Sequence, residues 1–104
     1  VYTISLHTNG NEDKKTRGFE VFINKNTSQA TTSVALAELF SNELAEALPN
    51  RGIKQASFYI LKHVTTPAII LELGFLTNSK DSKYLNSENG QNDIAEAIFK
   101  SIQE

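Results

Sequence analysis

A chain of 104 residues with 39% hydrophobic and 21% charged residues suits one globular domain with a modest core. Its formal net charge of −2 gives no general attraction to nucleic acid or to an anionic membrane. No apolar run approaches the ~20 residues of a membrane span. The absence of cysteine excludes disulfides, thiolate metal ligands and a cysteine nucleophile. Because methionine is also absent and no signal peptide is recognised, we expect a processed chain or a fragment of a longer one.

The first part of the chain is predicted to form two strands separated by polar loops. Residues 1–6 alternate apolar and polar side chains, which is typical of a half-buried strand, and turn-forming residues follow them. Residues 18–23 are predicted to form a second strand. The segments 10–17 and 24–32 are polar, and we expect both to be surface loops.

A long helix is predicted over residues 33–48, because its apolar side chains recur every four residues. This apolar stripe consists of Leu36, Phe40, Leu44 and Leu48. Ser33 suits the N-cap, and Pro49 and Gly52 are expected to end the helix. A stripe of this width is what a helix needs in order to pack on a sheet, so we expect it in the core.

Two strands and two helices are predicted in the remainder of the chain. The strands are residues 56–61 and 68–73, and the helices are residues 79–85 and 91–102. The resulting order is strand, strand, helix, strand, strand, helix, helix. This order predicts an α/β fold in which a mixed, mostly parallel sheet is flanked by helices.

Glu72 is the residue most informative about function. It ends an apolar, β-branched run that begins after Pro67 and is typical of a buried strand. An ionised carboxylate taken out of water needs a partner, a proton or a metal. Open α/β sheets place their chemistry at the carboxyl ends of such strands. A structural carboxylate, paired with a Lys or Arg or facing solvent, fits the segment equally well.

His7 ends the first predicted strand as Glu72 ends the fourth, so the two are expected to converge at one edge of the sheet. Imidazole is the commonest protein metal ligand and also suits acid–base work, although His7 fits a packed or solvated position as well. His63, in a polar linker, is expected at the surface. One His and one Glu do not make a zinc site, since catalytic zinc takes three protein ligands. No HExxH, phosphate-loop or GxSxG motif is present.

Residues 67–78 (PAIILELGFLTN) resemble the signature of zinc-dependent N-acetylmuramoyl-L-alanine amidases of the amidase-3 type, which are bacterial cell-wall hydrolases. Other segments resemble the same family in the expected order and cover nearly the whole chain. They are residues 5–9 (SLHTN), 18–22 (GFEVF), 33–37 (SVALA), 51–54 (RGIK), 58–62 (FYILK) and 91–98 (QNDIAEAI). The resemblance implies a single amidase-like catalytic domain over residues 1–104, with a zinc-hydrolase-like fold.

The resemblance also implies roles for individual residues. His7 would be a ligand of a Zn²⁺ cofactor, Glu72 the catalytic carboxylate, and Asn9 a residue that shapes the site for substrate. Glu20 matches a strand position of the family and is expected to be structural. The implied reaction is hydrolysis of the amide between muramic acid and L-alanine of the stem peptide, by zinc-activated water with Glu72 as base. Peptidoglycan is the implied partner, and the implied location is extracellular, in the cell wall or periplasm.

The family places a zinc histidine and a glutamate ligand ahead of the segment matched by residues 1–10, so this chain supplies one of three ligands. We therefore expect a domain that is N-terminally incomplete relative to the family and lacks its first strands. Such a chain is expected to be inactive unless a partner segment completes it, and to associate through its sheet edge. Two alternatives remain. One is a non-catalytic amidase-derived domain that binds cell-wall glycopeptide or a protein partner. The other is an unrelated α/β scaffold with Glu72 in a salt bridge.

Overall fold

The computed structural model describes residues 1–103 as four strands and four helices. The strands are β1 (Thr3–Asn9), β2 (Phe19–Ile23), β3 (Asn50–Gln55) and β4 (Ala68–Phe75). The helices are α1 (Ala30–Leu44), α2 (Tyr59–His63), α3 (Ser79–Leu85) and α4 (Glu88–Gln103). None of the helices within residues 1–103 has the length and apolarity needed to cross a bilayer.

The strands form one mixed sheet in the order β1-β4-β2-β3. β1 pairs with β4 and β2 pairs with β3 in parallel, whereas the central strands β2 and β4 are antiparallel. The predicted α/β fold, with a mixed, mostly parallel sheet flanked by helices, is therefore confirmed. Within residues 1–103, β1 is paired on one side only. Association through this edge stays a prediction.

The main core lies between one face of the sheet and helices α1 and α4. Side chains alternate across a strand, so every second residue of β2 and β4 points into this layer. The largest fully buried apolar side chains here are Phe19, Val21, Ile23, Phe40, Leu44, Ile69 and Leu71. Fully burying one such side chain stabilises the fold by about 1.5–3 kcal/mol. The stripe of α1 is part of this core, as predicted.

A smaller core covers part of the opposite face, beside α2. Leu61 of α2 is buried with Ala68 and Ile70 of β4, and Phe22 and Ile60 pack against them. Since α2 has only five residues, it covers one end of this face. The part of the face nearer the carboxyl ends of β1 and β4 therefore stays accessible to solvent.

One predicted strand is wrong. Residues 56–61 do not form a strand, because the third strand is β3 and the apolar residues that follow it turn into α2. β3 is a polar edge strand, and it contains Gly52 at a φ of 103°. Polar residues and glycine are depleted in strands, so β3 does not show the run of β-branched and aromatic residues that usually indicates a strand. A short apolar run such as the one in α2 fits a helix and a strand equally well.

The other differences concern the ends of elements. α1 begins at Ala30, so Ser33 lies inside the helix, where its Oγ accepts a hydrogen bond from the Ala68 amide at 3.1 Å instead of capping. α1 ends at Leu44, before the predicted 48, and α4 begins at Glu88 instead of 91. Strands β1 and β4 continue to residues 9 and 75, beyond the predicted 6 and 73. The predicted helix over residues 79–85 is confirmed as α3.

Candidate active site

Three neighbouring strands bring ionisable side chains into one row on the face that α2 partly covers. His7 of β1 is the register partner of Glu72 of β4. Glu72 is in turn the register partner of Glu20 of β2. The Cβ atoms of directly opposed residues are about 4.5–5.5 Å apart, so these side chains are immediate neighbours. His7 and Glu72 therefore lie together as expected, although each lies within its strand instead of at its end.

Glu72 is half-buried at the side of a groove of about 290 Å³. The groove is lined by His7, Phe58, Tyr59, Ile60, Ile70 and Glu72. Burial raises the pKa of Glu72; the nearby His7 opposes this shift and the negative charge of Glu20 adds to it. A carboxyl group with a raised pKa in a mostly apolar groove is suited to accepting and returning a proton.

His7 is exposed, and its ring is oriented by the same strand. The Oγ atom of Ser5 lies 2.8 Å from Nε2 of His7, since residues two apart in a strand share a face. Metal-binding histidines usually have one ring nitrogen held by an oxygen partner of this kind, which leaves the other nitrogen for the metal. His7 is therefore suited to contribute one ligand.

The ligand set within residues 1–103 does not amount to a zinc site. No group of three His, Cys, Asp or Glu side chains in this part of the chain is placed to hold a metal ion. Glu20 lies in the row, but its carboxylate is bound to Arg51 and Lys54. Because a catalytic zinc normally takes three protein ligands, these residues do not fit a complete site by themselves.

The side-chain amide of Asn9 joins β1 to Glu20 of the row and also forms a local hydrogen bond. Its Nδ2 donates to Oε1 of Glu20 at 2.8 Å, and its Oδ1 accepts from the Gly10 amide at 2.8 Å. Burial raises the pKa of Glu20, but hydrogen bonds and charges from Lys54 and Arg51 outweigh it, so the pKa is lowered overall. An ionised Glu20 thus holds the side chain of Asn9, whose register partner on β4 is Phe75. Arg51 and Lys54 were not predicted as neighbours of the site, because the strand β3 that carries them was not predicted.

Asp81 holds the carboxyl end of β4 in place, and sequence analysis did not single it out. Its side chain is fully buried and accepts hydrogen bonds from Arg17 Nε at 2.8 Å, the Gly18 amide at 2.7 Å and the Phe75 amide at 3.0 Å. The Asn78 side chain caps α3 by accepting from the amide of Asp81 at 3.0 Å. The only sequence signal for this arrangement was the capping position of Asn78, three residues before Asp81.

His63 lies outside the row. It is exposed at the end of α2, and its ring stacks on that of Tyr59 with 4.1 Å between the ring centroids. The expected surface position is confirmed, although the residue belongs to a short helix and not to a linker.

The fold and the row together define a mixed α/β domain with an acid–histidine pair in an accessible groove. The profile of the Amidase_3 family, described as N-acetylmuramoyl-L-alanine amidase, matches residues 1–104. The chain belongs to this family. The alternative of an unrelated scaffold is therefore wrong.

Similar proteins have been named and solved. The N-acetylmuramoyl-L-alanine amidase LytC of Bacillus subtilis is 34% identical over 97 residues, which are 91% of this chain and 19% of LytC. The catalytic domain of the amidase CwlV from Bacillus (Paenibacillus) polymyxa is 31% identical with a TM-score of 0.86, over 97% of this chain and 55% of that one. The amidase AmiC2 of Nostoc punctiforme is 31% identical with a TM-score of 0.87, over 98% and 56%. The chain thus spans about half of these solved chains and about a fifth of LytC.

Proposed function

We propose that this chain is part of the catalytic domain of a peptidoglycan hydrolase. The reaction is cleavage of the amide bond between N-acetylmuramic acid and L-alanine of the stem peptide. Family membership supports this reaction, and the observation that carries it is the register pair of His7 and Glu72 beside an accessible groove. Since its substrate is peptidoglycan, the protein acts outside the cytoplasm, in the cell wall or periplasm.

Glu72 is the general base in this proposal. Its carboxylate takes a proton from the attacking water and returns it to the amine that leaves with the stem peptide. Such proton transfer contributes roughly 10²–10⁴-fold to a rate. The raised pKa of Glu72 favours this role, because it makes the carboxylate a stronger base toward water and brings its pKa closer to the operating pH.

His7 is proposed as one ligand of Zn²⁺, with Ser5 orienting its ring. The chemistry that a zinc ion held by His7 and further ligands would supply is polarisation of the scissile carbonyl and activation of a water molecule. Residues 1–103 supply one imidazole next to Glu72, so the remaining ligands have to come from outside these residues. Asn9, fixed by Glu20, is proposed to shape the site for the substrate.

The groove has a suitable wall for a glycopeptide. Phe58 and Tyr59 are exposed and line the groove together with Glu72. Aromatic rings supply a large apolar surface on which one face of a sugar ring can rest, while a few polar groups fix the orientation of the ligand. The muramic acid ring is proposed to lie along this wall.

The test is a pair of substitutions in the intact enzyme that carries this chain. Glu72→Gln is expected to lower the release of stem peptides from peptidoglycan by about 10²-fold or more, with the zinc content unchanged. His7→Ala is expected to reduce both zinc content and activity. Glu46→Gln, at an exposed glutamate after α1, serves as the matched control and should leave the rate unchanged. A Glu72→Gln enzyme with the wild-type rate would refute the proposed base.

A second candidate is a non-catalytic domain of the same family that binds cell-wall glycopeptide. It is favoured by one observation, namely that residues 1–103 hold no group of three metal-ligating side chains. This candidate requires saturable binding of peptidoglycan with no release of stem peptide. Zinc-dependent release of peptide would exclude it.

A further inference from the structure

The carboxylate of Glu20 binds two cations. Arg51 Nε lies 3.3 Å from Oε2 of Glu20, and the Lys54 ammonium forms an ion pair with the same oxygen. The Glu20 side chain is only 6% exposed, whereas those of Arg51 and Lys54 are 35% and 39% exposed. Glu20 is thus paired with two cations that are both accessible to solvent, and Glu72, a further carboxylate, lies opposite Glu20 on β4.

Arg51 is held in a position that presents its guanidinium to a ligand. It contacts Glu20 through Nε, which leaves N–H groups of its terminal nitrogens available as further donors. The guanidinium carbon lies 5.2 Å from the centre of the Phe75 ring, which is a cation–π arrangement. A guanidinium fixed at two points keeps the planar fork that pairs with a carboxylate through two parallel hydrogen bonds.

Stabilisation of Glu20 does not require both cations. A buried carboxylate needs one good ion pair and its hydrogen bonds, and Glu20 also receives a hydrogen bond from Asn9. A further ion pair with a partly exposed side chain adds about 0–1 kcal/mol, and the two cations repel each other. The second, partly exposed cation is instead suited to an anion that arrives from solvent on the same face as Glu72.

We propose that Arg51 and Lys54 form a subsite for a free carboxylate of the peptide part of the substrate, an inference that rests on the proposed function. Both cations meet the carboxylate of Glu20 on β2, the strand next to β4, so their charged groups lie roughly 5–10 Å from Glu72 at the usual spacing of strands. An extended peptide covers about 3.3–3.6 Å per residue. The carboxylate bound here therefore lies about two or three residues along the stem peptide from the amide that is attacked at Glu72.

Equilibrium binding tests this subsite without depending on hydrolysis. An N-acetylmuramoyl tripeptide whose only carboxylate is the C-terminal one is titrated into the chain by calorimetry, and its C-terminal amide is titrated in parallel. The free acid is expected to bind about five- to tenfold more tightly than the amide, the range for a partly exposed, charge-assisted contact. Equal affinities for acid and amide, or no binding of either, would overturn the proposal.

Variants of the two cations test whether they cause the preference for the free acid over the amide. Arg51→Gln and Lys54→Gln each leave Glu20 with one cation, so both should stay folded, and each is expected to bring the affinity ratio of acid to amide close to one. Arg51→Lys, which keeps the charge but loses the fork, should retain part of the preference. Lys100→Gln on α4 is the matched control and should keep the full ratio. A ratio that stays at the wild-type value in both Gln variants would also overturn the proposal.

The binding experiment can support or overturn the subsite independently of the proposed amidase function. An acid preference lost in the variants would support the subsite even if the intact enzyme released no stem peptide from peptidoglycan. Conversely, equal binding of acid and amide would leave the proposed amidase activity untouched while removing the subsite.

Discussion

Replacement of Asp81 by Asn removes a negative charge from a fully buried position at which three donors converge. Oδ2 of Asp81 accepts from the amides of Gly18 and Phe75, and Oδ1 accepts from Arg17. Asn has nearly the same shape, but one of its two terminal atoms is a donor. With its oxygen toward the two amides, Asn turns its NH₂ group toward Arg17. The ion pair is lost and the two remaining hydrogen bonds become neutral.

The magnitude follows from these three contacts. A hydrogen bond to a charged group contributes about 1.5–3 kcal/mol, whereas a neutral one contributes about 0.5–1.5 kcal/mol. Loss of the Arg17 contact is partly offset, because that side chain is 33% exposed and can be rehydrated. The free energy of unfolding is therefore expected to fall by about 3 kcal/mol, a large part of the ~5–15 kcal/mol typical of a domain. For a chain of this length, the melting temperature should fall by about 14 °C.

Urea unfolding followed by circular dichroism measures this change directly. Asp13→Asn is the matched control, since Asp13 is exposed and its side chain accepts only a local hydrogen bond from the Lys15 amide at 2.9 Å. It should change the free energy of unfolding by no more than about 0.5 kcal/mol. A loss below about 1 kcal/mol for Asp81→Asn would show that the buried carboxylate does not hold the end of β4.

Two predictions concern pH. The folded-state pKa of Glu20 lies below its ordinary value of 4.5, so its ion pairs stabilise the protein above that pH and the stabilisation is lost as the pH falls through the folded pKa. Thermal unfolding should therefore show a steeper loss of stability below about pH 4.5 for the wild type than for Glu20→Gln. Burial, and next the hydrogen bond that Tyr84 donates to Asp93 at 2.7 Å, raise the pKa of Tyr84 to about 12. The absorbance titration of tyrosinate should contain a transition at about pH 12. The stabilisation from this hydrogen bond is complete below pH 10 and is lost as the pH rises through the raised pKa.

Controls separate these effects from general titration. Glu38→Gln, at an exposed position of α1, should keep the wild-type loss of stability in acid. If Glu20→Gln behaves in the same way as Glu38→Gln, the ion pairs of Glu20 contribute nothing to the acid limb. Tyr84→Phe should remove the late transition from the absorbance titration, and a titration curve identical to that of the wild type would contradict the assignment.

Much of the fold followed from local patterns. The helix α3 has the predicted bounds, because its cap at Asn78 and the turn before it involve only neighbouring residues. The strand β4 was recognisable from its buried β-branched run, and α1 from the stripe that it buries against the sheet. Patterns of this kind report which face of an element is buried, and that is set by the spacing of apolar residues within the element itself.

The sequence by itself determined the α/β class, the four principal elements that carry the core, and the candidate residues His7 and Glu72. Only the tertiary structure decided that Glu20 lies opposite Glu72, since the register of strands distant in the chain depends on packing across the whole sheet. It also decided the place of β3, whose polar residues pair with β2 through the backbone and leave no apolar signal. Only that pairing shows that the two cations, Arg51 and Lys54, lie beside the site. Almost any residue type can form the backbone hydrogen bonds of a strand, so the side chains of β3 do not indicate its partner.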